Sequence, residues 1–338
     1  MNRRQFILGL AGSVAFIGLA AFDLTAALGQ QAAPQPGKTY RVGYTQIVDH
    51  PALNASRQGF LDGLKKAGFV EGQNLVFDYQ NAQNDIANAR NIAEKFLADK
   101  VDLMAPCTTP SAQAAARVAR DSTIPVAFGC VTNPVAAGIV PAFDKAGPNV
   151  TGSYGFPPAD KMIDVILQIR PNAKVLGTIY NSSETNSQVL NTIAKAEAEK
   201  RKLTWVEVQI TSSAEVKNAV ESLVGRVDTF LMPQDNTIAS AFDAVIKTAR
   251  DNKIPLFSLD TSTVERGAIA SYAQDQYQTG YDWAIDVAVP MLLGKSASTI
   301  PPQPYKAFQL YLNTAAATAL GVNVPADVVK SAAKVFDK

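Results

Sequence analysis

One histidine, His50, and two cysteines, Cys107 and Cys130, are the whole supply of imidazole and thiol in 338 residues. A histidine-based metal cluster is therefore excluded, and little is left for general-base chemistry. The chain past its first thirty residues also lacks a phosphate-binding P-loop, a G-x-S-x-G elbow, an H-E-x-x-H helix and a dinucleotide G-x-G-x-x-G turn. No enzyme is expected, no catalytic residue, no metal and no cofactor. Charge of one sign is missing as well: 31 basic residues meet 30 acidic ones, for a formal net charge of +1. That balance removes the basic excess on which nucleic-acid binding depends. A membrane-spanning run is lacking too, because the apolar stretch from Phe6 to Phe22 falls short of the roughly 20 residues a span requires.

That stretch has the form of an export signal. Arg3-Arg4 precedes it, Phe6 follows the pair in the manner of a twin-arginine signal, and Ala27 and Gly29 suit a signal-peptidase site before a Gln/Ala/Pro linker, Gln30 to Gly37. The signal is expected over 1–29 and the mature protein in the periplasm. Ordinary Sec export and a retained N-terminal anchor are the alternatives. No cysteine lies near the junction to carry a lipid.

What the chain does have is apolar content, 47% against 18% charged, and length for two domains of about 150 residues each. From Tyr40 onward, short β-rich runs alternate with amphipathic stretches, the rhythm of βαβ units on parallel sheets. Strands are expected at Tyr40–Tyr44, Leu75–Tyr79, Asp102–Pro106, Pro125–Phe128, Lys174–Tyr180, Leu203–Gln209, Asp228–Met232, Ile254–Ser258 and Ala268–Ala273. Helices are expected around Leu53–Leu64, Ala87–Leu97, Ser111–Arg120, Gln188–Arg201 and Asp243–Arg250. Cys107 and Cys130 fall at the ends of consecutive strands. An exported pair invites a disulfide if those strands are neighbours; otherwise both are buried thiols.

One α/β unit occurs twice. Val101-Asp102 opens a strand ending at Thr108–Ser111, followed by a helix to Ala119-Arg120-Asp121 and a strand at Ile124-Pro125. Val227-Asp228 opens another, ending at Pro233–Asn236, with a helix to Ala249-Arg250-Asp251 and a strand at Ile254-Pro255. Two like lobes imply a cleft, with ligands beyond the carboxyl ends of the strands.

Segments in order along nearly all of the chain after the linker resemble a known family. They include Val42–Tyr44 through His50–Leu53, Arg57–Phe60, Gly68–Asn74, Tyr79–Gln83, Thr109–Ala114, Val131–Val135, Asn149–Gly152, Tyr180-Asn181 with Glu184 and Asn186-Ser187, Pro233–Asn236 and Arg266–Ala268. The chain resembles the substrate-binding proteins of ABC uptake systems with the type I periplasmic-binding fold, in the tryptophan/tyrosine-type branch. Cys107, Cys130 and Asn133 depart from the family pattern, at the border of the cleft. The resemblance implies an α/β protein of two Rossmann-like, doubly wound parallel-sheet lobes joined by a three-strand hinge. It places the crossings near Thr151–Tyr154, before Gly267 and around Ser296–Pro301. The lobes then comprise 38–151 plus 267–296 and 152–266 plus 297–325.

Binding residues are expected around the strand ends. Thr108, Thr109 and Ser111 sit at a helix start where Thr is a favoured cap, Pro110 suits the first turn and free N–H groups attract a carboxylate. The competing reading is a helix whose Thr109 merely caps itself. Asp235 and Asn236 pose the same choice in the other lobe, whereas Asp260 has no obvious helix to cap and is the better partner for a ligand ammonium, the competing reading being a turn Asp that bonds its own backbone. Asn181, Glu184 and Asn186 lie in a polar loop of the second lobe that is either simply solvated or offers Glu184 as a second ammonium partner, and Gln46, Asp49 and His50 lie in the equivalent loop of the first. His50 reads as a loop hydrogen-bonder rather than a ligand residue. Thr132 and Asn133 follow a strand end, and Tyr154 faces the cleft at the first crossing. Together these imply a monomeric periplasmic receptor of an ABC importer that binds a small amino acid, aromatic by the resemblance, and presents its closed form to an inner-membrane permease. A receptor for a signalling partner, or for another carboxylate or a sugar, is the alternative.

Overall fold

The computed structural model describes residues 33–337, so the expected signal lies outside the described residues. Strands β1 (Tyr40–Gln46), β2 (Leu75–Asn81), β3 (Leu103–Cys107), β4 (Val126–Val131) and β5 (Val150–Tyr154) come from the first half. The second half gives β6 (Val175–Asn181), β7 (Thr204–Ile210), β8 (Thr229–Met232), β9 (Leu256–Ser258), β10 (Ala270–Ala273), β11 (Gln303–Pro304), β12 (Gln309–Asn313) and β13 (Lys334–Phe336). The helices used below are α1 (Pro51–Lys66), α2 (Ile86–Ala98), α3 (Thr109–Val118), α4 (Ala159–Ile169), α5 (Thr185–Lys200), α6 (Val216–Glu221), α7 (Asn236–Ser240), α8 (Phe242–Asp251) and α9 (Gln276–Trp283).

One sheet runs β11-β5-β4-β3-β1-β2 and the other β13-β12-β10-β9-β8-β6-β7. The order β2-β1-β3-β4-β5 in the first is matched by β7-β6-β8-β9-β10 in the second, so the repeat seen in the sequence is a repeat of winding. Its acidic residue has a physical task. Asp102 accepts the backbone N–H of Arg41 at 2.8 Å, and Asp228 accepts those of Lys174 and Val175 at 2.8 and 3.0 Å. Each carboxylate ties the start of one strand to the start of its neighbour, satisfying N–H groups the ladder leaves free.

Strand pairing moves the three crossings from where they were expected. All of β5, through Tyr154, belongs to the first sheet. β10 pairs with β9 and β12, so the second crossing follows Ala273 rather than preceding Gly267. β11 pairs with β5, which keeps 297–304 in the first lobe, and β13 extends the second lobe beyond 325 to Phe336. Pairing across a sheet decides lobe membership, and nothing local at 151 or 267 marks it.

The chain returns to the first lobe as α9, which lies on α1 with almost no side chain between them. A Cβ on Gly59 would stand 2.0 Å from the carbonyl oxygen of Tyr277, and one on Gly280 2.0 Å from that of Ser56. That close crossing delivers Trp283 to the core, where its ring lies 4.3 Å from Phe60 and 5.7 Å from Tyr44. All three are fully buried, and each such side chain contributes about 1.5–3 kcal/mol by leaving water. In the second lobe apolar residues cover both faces of the sheet, with Leu231 and Phe257 on one side and Phe230 and Leu256 on the other.

In both sheets the winding reverses, between β1 and β3 and between β6 and β8. At such a switch point neighbouring strands send their following loops to opposite faces and leave a crevice at their carboxyl ends. The loops after β1, β3, β6 and β8 therefore border that crevice.

Candidate functional site

Thr108 links β3 to α3 and is the N-cap of that helix, with φ 100° and ψ 153°. Glycine alone adopts this region readily; a β-branched residue there costs about 1–3 kcal/mol and persists only where its surroundings impose it. No side chain caps α3. Thr109 occupies the first helical position rather than the cap, and the self-capping alternative is not what forms. The hydroxyls of Thr108, Thr109 and Ser111 are buried and have no hydrogen-bond partner among the described residues. Each such group costs about 1–3 kcal/mol unless something outside the chain satisfies it. They lie beside the free N–H groups of the first turn, an arrangement whose chemistry suits an anion.

The matching helix start in the second lobe is already taken by the protein itself. Glu184, which is buried, accepts the N–H of Thr237 at 3.2 Å, its hydroxyl at 2.8 Å, the N–H of Asn236 at 3.4 Å and the Asn236 amide at 2.5 Å. Asn186 and Asn181 donate to the same carboxylate at 3.1 and 3.4 Å. Asp235 caps α7 through the N–H of Ile238 at 2.9 Å and also accepts the N–H of Asn181 at 2.7 Å and the hydroxyl of Ser187. Burial first, and the Glu184 charge second, push the Asp235 carboxyl up to about 7. Both acids are thus engaged in holding their own lobe.

Asp260 has more freedom. It bonds its own backbone, as the competing reading has it, capping a single 3-10 turn, Thr261–Thr263, but spends one oxygen on it, accepting the N–H of Ser262 at 2.9 Å. The residue is buried, and its charge faces His50.

His50 is the residue the sequence undervalued. It is 8% exposed, its Nδ1 has no partner among the described residues, and it feels the charges of Asp260, Arg266 and Glu184 of the second lobe. Burial pushes its pKa down, against the pull of Asp260, so the imidazole is neutral at pH 7. Asp49, expected at the site, is instead exposed. Extended backbone alternates sides, and Pro51 starts α1 with His50 turned inward. Thr45, Gln274 and Gln276 were missed as well; all are buried with an unpartnered polar atom.

The other expected residues divide. Gln46 is buried in a structural network, donating to Val48 and Asn54 and accepting from Arg57 at 3.3 Å. Thr132 is buried just past β4. Asn133 serves its own turn, accepting the N–H groups of Val135 and Ala136 at 3.1 and 2.9 Å. Tyr154 is half-buried, its ring 5.0 Å from Phe143 and 6.5 Å from Phe156. Asn186 keeps its Oδ1 unpartnered. Cys107 and Cys130 are joined by a disulfide, with Cα atoms 5.1 Å apart across neighbouring β3 and β4. The lobes touch: Asn84 of the first donates to the Thr237 hydroxyl of the second at 3.2 Å.

Residues 41–336 match the family model described as ABC transporter substrate binding protein. The chain belongs to that family. Among relatives of this substrate-binding protein, a tyrosine-binding protein of Clostridioides difficile (strain R20291) is 36% identical over 325 residues, 96% of this chain and 93% of that one. The ABC domain from Streptococcus pneumonia in complex with L-Trp is 31% identical with a TM-score of 0.85, covering 88% of this chain and all of that one. A ligand-free, open structure of a Clostridium difficile substrate binding protein is 39% identical but has a TM-score of only 0.67, over 89% of this chain and all of the other. The open structure fits less well despite its higher identity.

Proposed function

We propose that this protein is the extracytoplasmic receptor of an ABC importer, working as a monomer in the periplasm, and that it binds an aromatic amino acid between its lobes. The ligand carboxylate sits on the N-terminus of α3 with the hydroxyls of Thr108, Thr109 and Ser111. Its ammonium pairs with Asp260, and His50, Asn186, Gln274 and Gln276 complete the polar wall. The observation that carries this reading is the contrast between two matching helix starts: one is sealed by the chain's own Glu184, the other presents three unpartnered buried hydroxyls.

The aromatic side chain is inferred from the tyrosine and L-Trp of the two relatives. Export is supported by the disulfide, since such bonds persist in oxidising compartments. A ligand touching both lobes favours the closed arrangement in proportion to its extra affinity for it, and the closed shape is what a membrane permease reads. A thermal-shift panel tests the assignment. L-tryptophan, L-tyrosine or L-phenylalanine should raise the melting temperature, since a hundredfold excess over Kd stabilises by about 2.7 kcal/mol, and ribose should not. Silence from all three amino acids rejects it.

A further inference from the structure

The disulfide stands next to the most strained backbone in the cleft. Cys107 ends β3 and the next residue is Thr108, at φ 100°; Cys130 itself has φ 54°. The register of β4 against β5 slips between Phe128 and Val131, so Gly129 and Cys130 form a bulge. That bulge is fixed on one side by Trp283, since a Cβ on Gly129 would stand 2.3 Å from its ring. On the other side, the N–H of Thr108 donates to the Gly129 carbonyl at 3.0 Å and the Ser56 hydroxyl contacts the Cys130 sulfur at 3.2 Å. The S–S bond joins the residue before Thr108 to the residue after Gly129. One hydrogen bond and one covalent link therefore tie Thr108 to a bulge packed against Trp283.

We propose that the Cys107–Cys130 disulfide is a positioning element of the cleft, which holds Thr108 in its glycine-type conformation and so sets the affinity for the ligand carboxylate. Thr108 is β-branched and relaxes towards the extended region once the link is opened. That rotation turns its hydroxyl, and the peptide leading to Thr109, away from the anion position. A dithiol reductant opens the link by ordinary exchange. One thiolate attacks the sulfur of Cys130, the half-buried partner, the S–S bond breaks and Cys107 leaves as thiolate and takes a proton. The second thiol of the reductant then releases Cys130, so the protein gains two electrons and two protons while the reductant becomes a disulfide. Affinity for the amino acid falls with the link and returns on reoxidation.

The carboxylate role rests on the function proposed above, so the test has a readout that needs no ligand. In the ligand-free protein, hydrogen exchange at the Thr108 amide is followed before and after reduction by a dithiol, and again in the Cys107→Ala/Cys130→Ala variant. At least tenfold faster exchange is expected in both, with circular dichroism unchanged at 20 °C; unchanged protection overturns the proposal whatever the ligand. Calorimetric titration with L-tryptophan then compares oxidised and reduced protein. A Kd at least tenfold weaker after reduction, restored by reoxidation, supports the proposal. Equal Kd within twofold overturns it, because a merely structural disulfide would lower thermal stability and leave affinity at 20 °C alone. Should oxidised protein bind none of the three aromatic amino acids, the ligand assignment fails and the exchange measurement still decides the positioning claim.

Discussion

Glu184 closes the N-terminus of α7 by accepting both the backbone N–H and the hydroxyl of Thr237, at 3.2 and 2.8 Å. The second lobe thus holds, within one chain, a carboxylate bound in the way we propose that Thr109 and Ser111 of the first lobe bind that of the ligand. The duplicated winding makes the comparison meaningful, since the two helix starts follow matching strands at matching switch points.

Substituting Ser111 by Ala should weaken amino-acid binding by about 1 kcal/mol, roughly fivefold in Kd, and should not lower the stability of the empty protein. The hydroxyl has no protein partner to lose. Calorimetry and urea unfolding of the same preparation read the two effects separately.

Glu184→Gln should behave in the opposite way. An amide turned towards the N–H groups of Asn236 and Thr237 leaves a buried donor facing donors, so stability at pH 7 should drop by about 1–3 kcal/mol. The Asp235 carboxyl, raised to about 7 by burial and by Glu184, contributes stability that is complete below its unfolded value near 4 and is lost as pH rises through about 7. Removing the Glu184 charge should flatten that loss. Urea midpoints from pH 4 to 8 on both proteins measure it.

Binding should have its own pH dependence, through His50. Its pKa is lowered by burial between the lobes, beside Asp260, Arg266 and Glu184, so its contribution is present above about 6.5 and is lost as pH falls. Affinity for L-tryptophan should decline by up to roughly tenfold between pH 7.5 and 5.5, and His50→Gln should remove the decline. Calorimetry across that range checks both.

Asp260→Asn should cost about 1.5–3 kcal/mol of amino-acid binding, roughly ten- to hundredfold in Kd. It should leave the deaminated analogue indole-3-propionate almost unaffected. Titration of both ligands into both proteins separates loss of the ammonium partner from damage to the pocket.

The fold was readable because burial on two faces forces apolar strands and an amphipathic face forces helical spacing, and both recur in step from Tyr40 to Ala273. The repeat was readable for the same reason, down to Asp102 and Asp228. The helix starts at Thr109 and Asp235 were visible through Thr, Pro and Asp. What escaped was set by contacts between distant segments. β10 joined the second sheet through β9 and β12. α4 and α9 were not anticipated at all. His50 became buried only through the approach of the other lobe, and no neighbour in sequence foretells that. The choice between the two readings of Asp260 stayed open because a turn of three residues leaves no periodic trace.

The central claim, that the start of α3 takes a ligand carboxylate, is tested most directly by titrating the oxidised protein with L-tryptophan and with L-tryptophanamide. The amide keeps ring and ammonium but lacks the negative charge. The acid should bind and the amide at least hundredfold more weakly; equal affinity for the two would rule out a carboxylate at the start of α3.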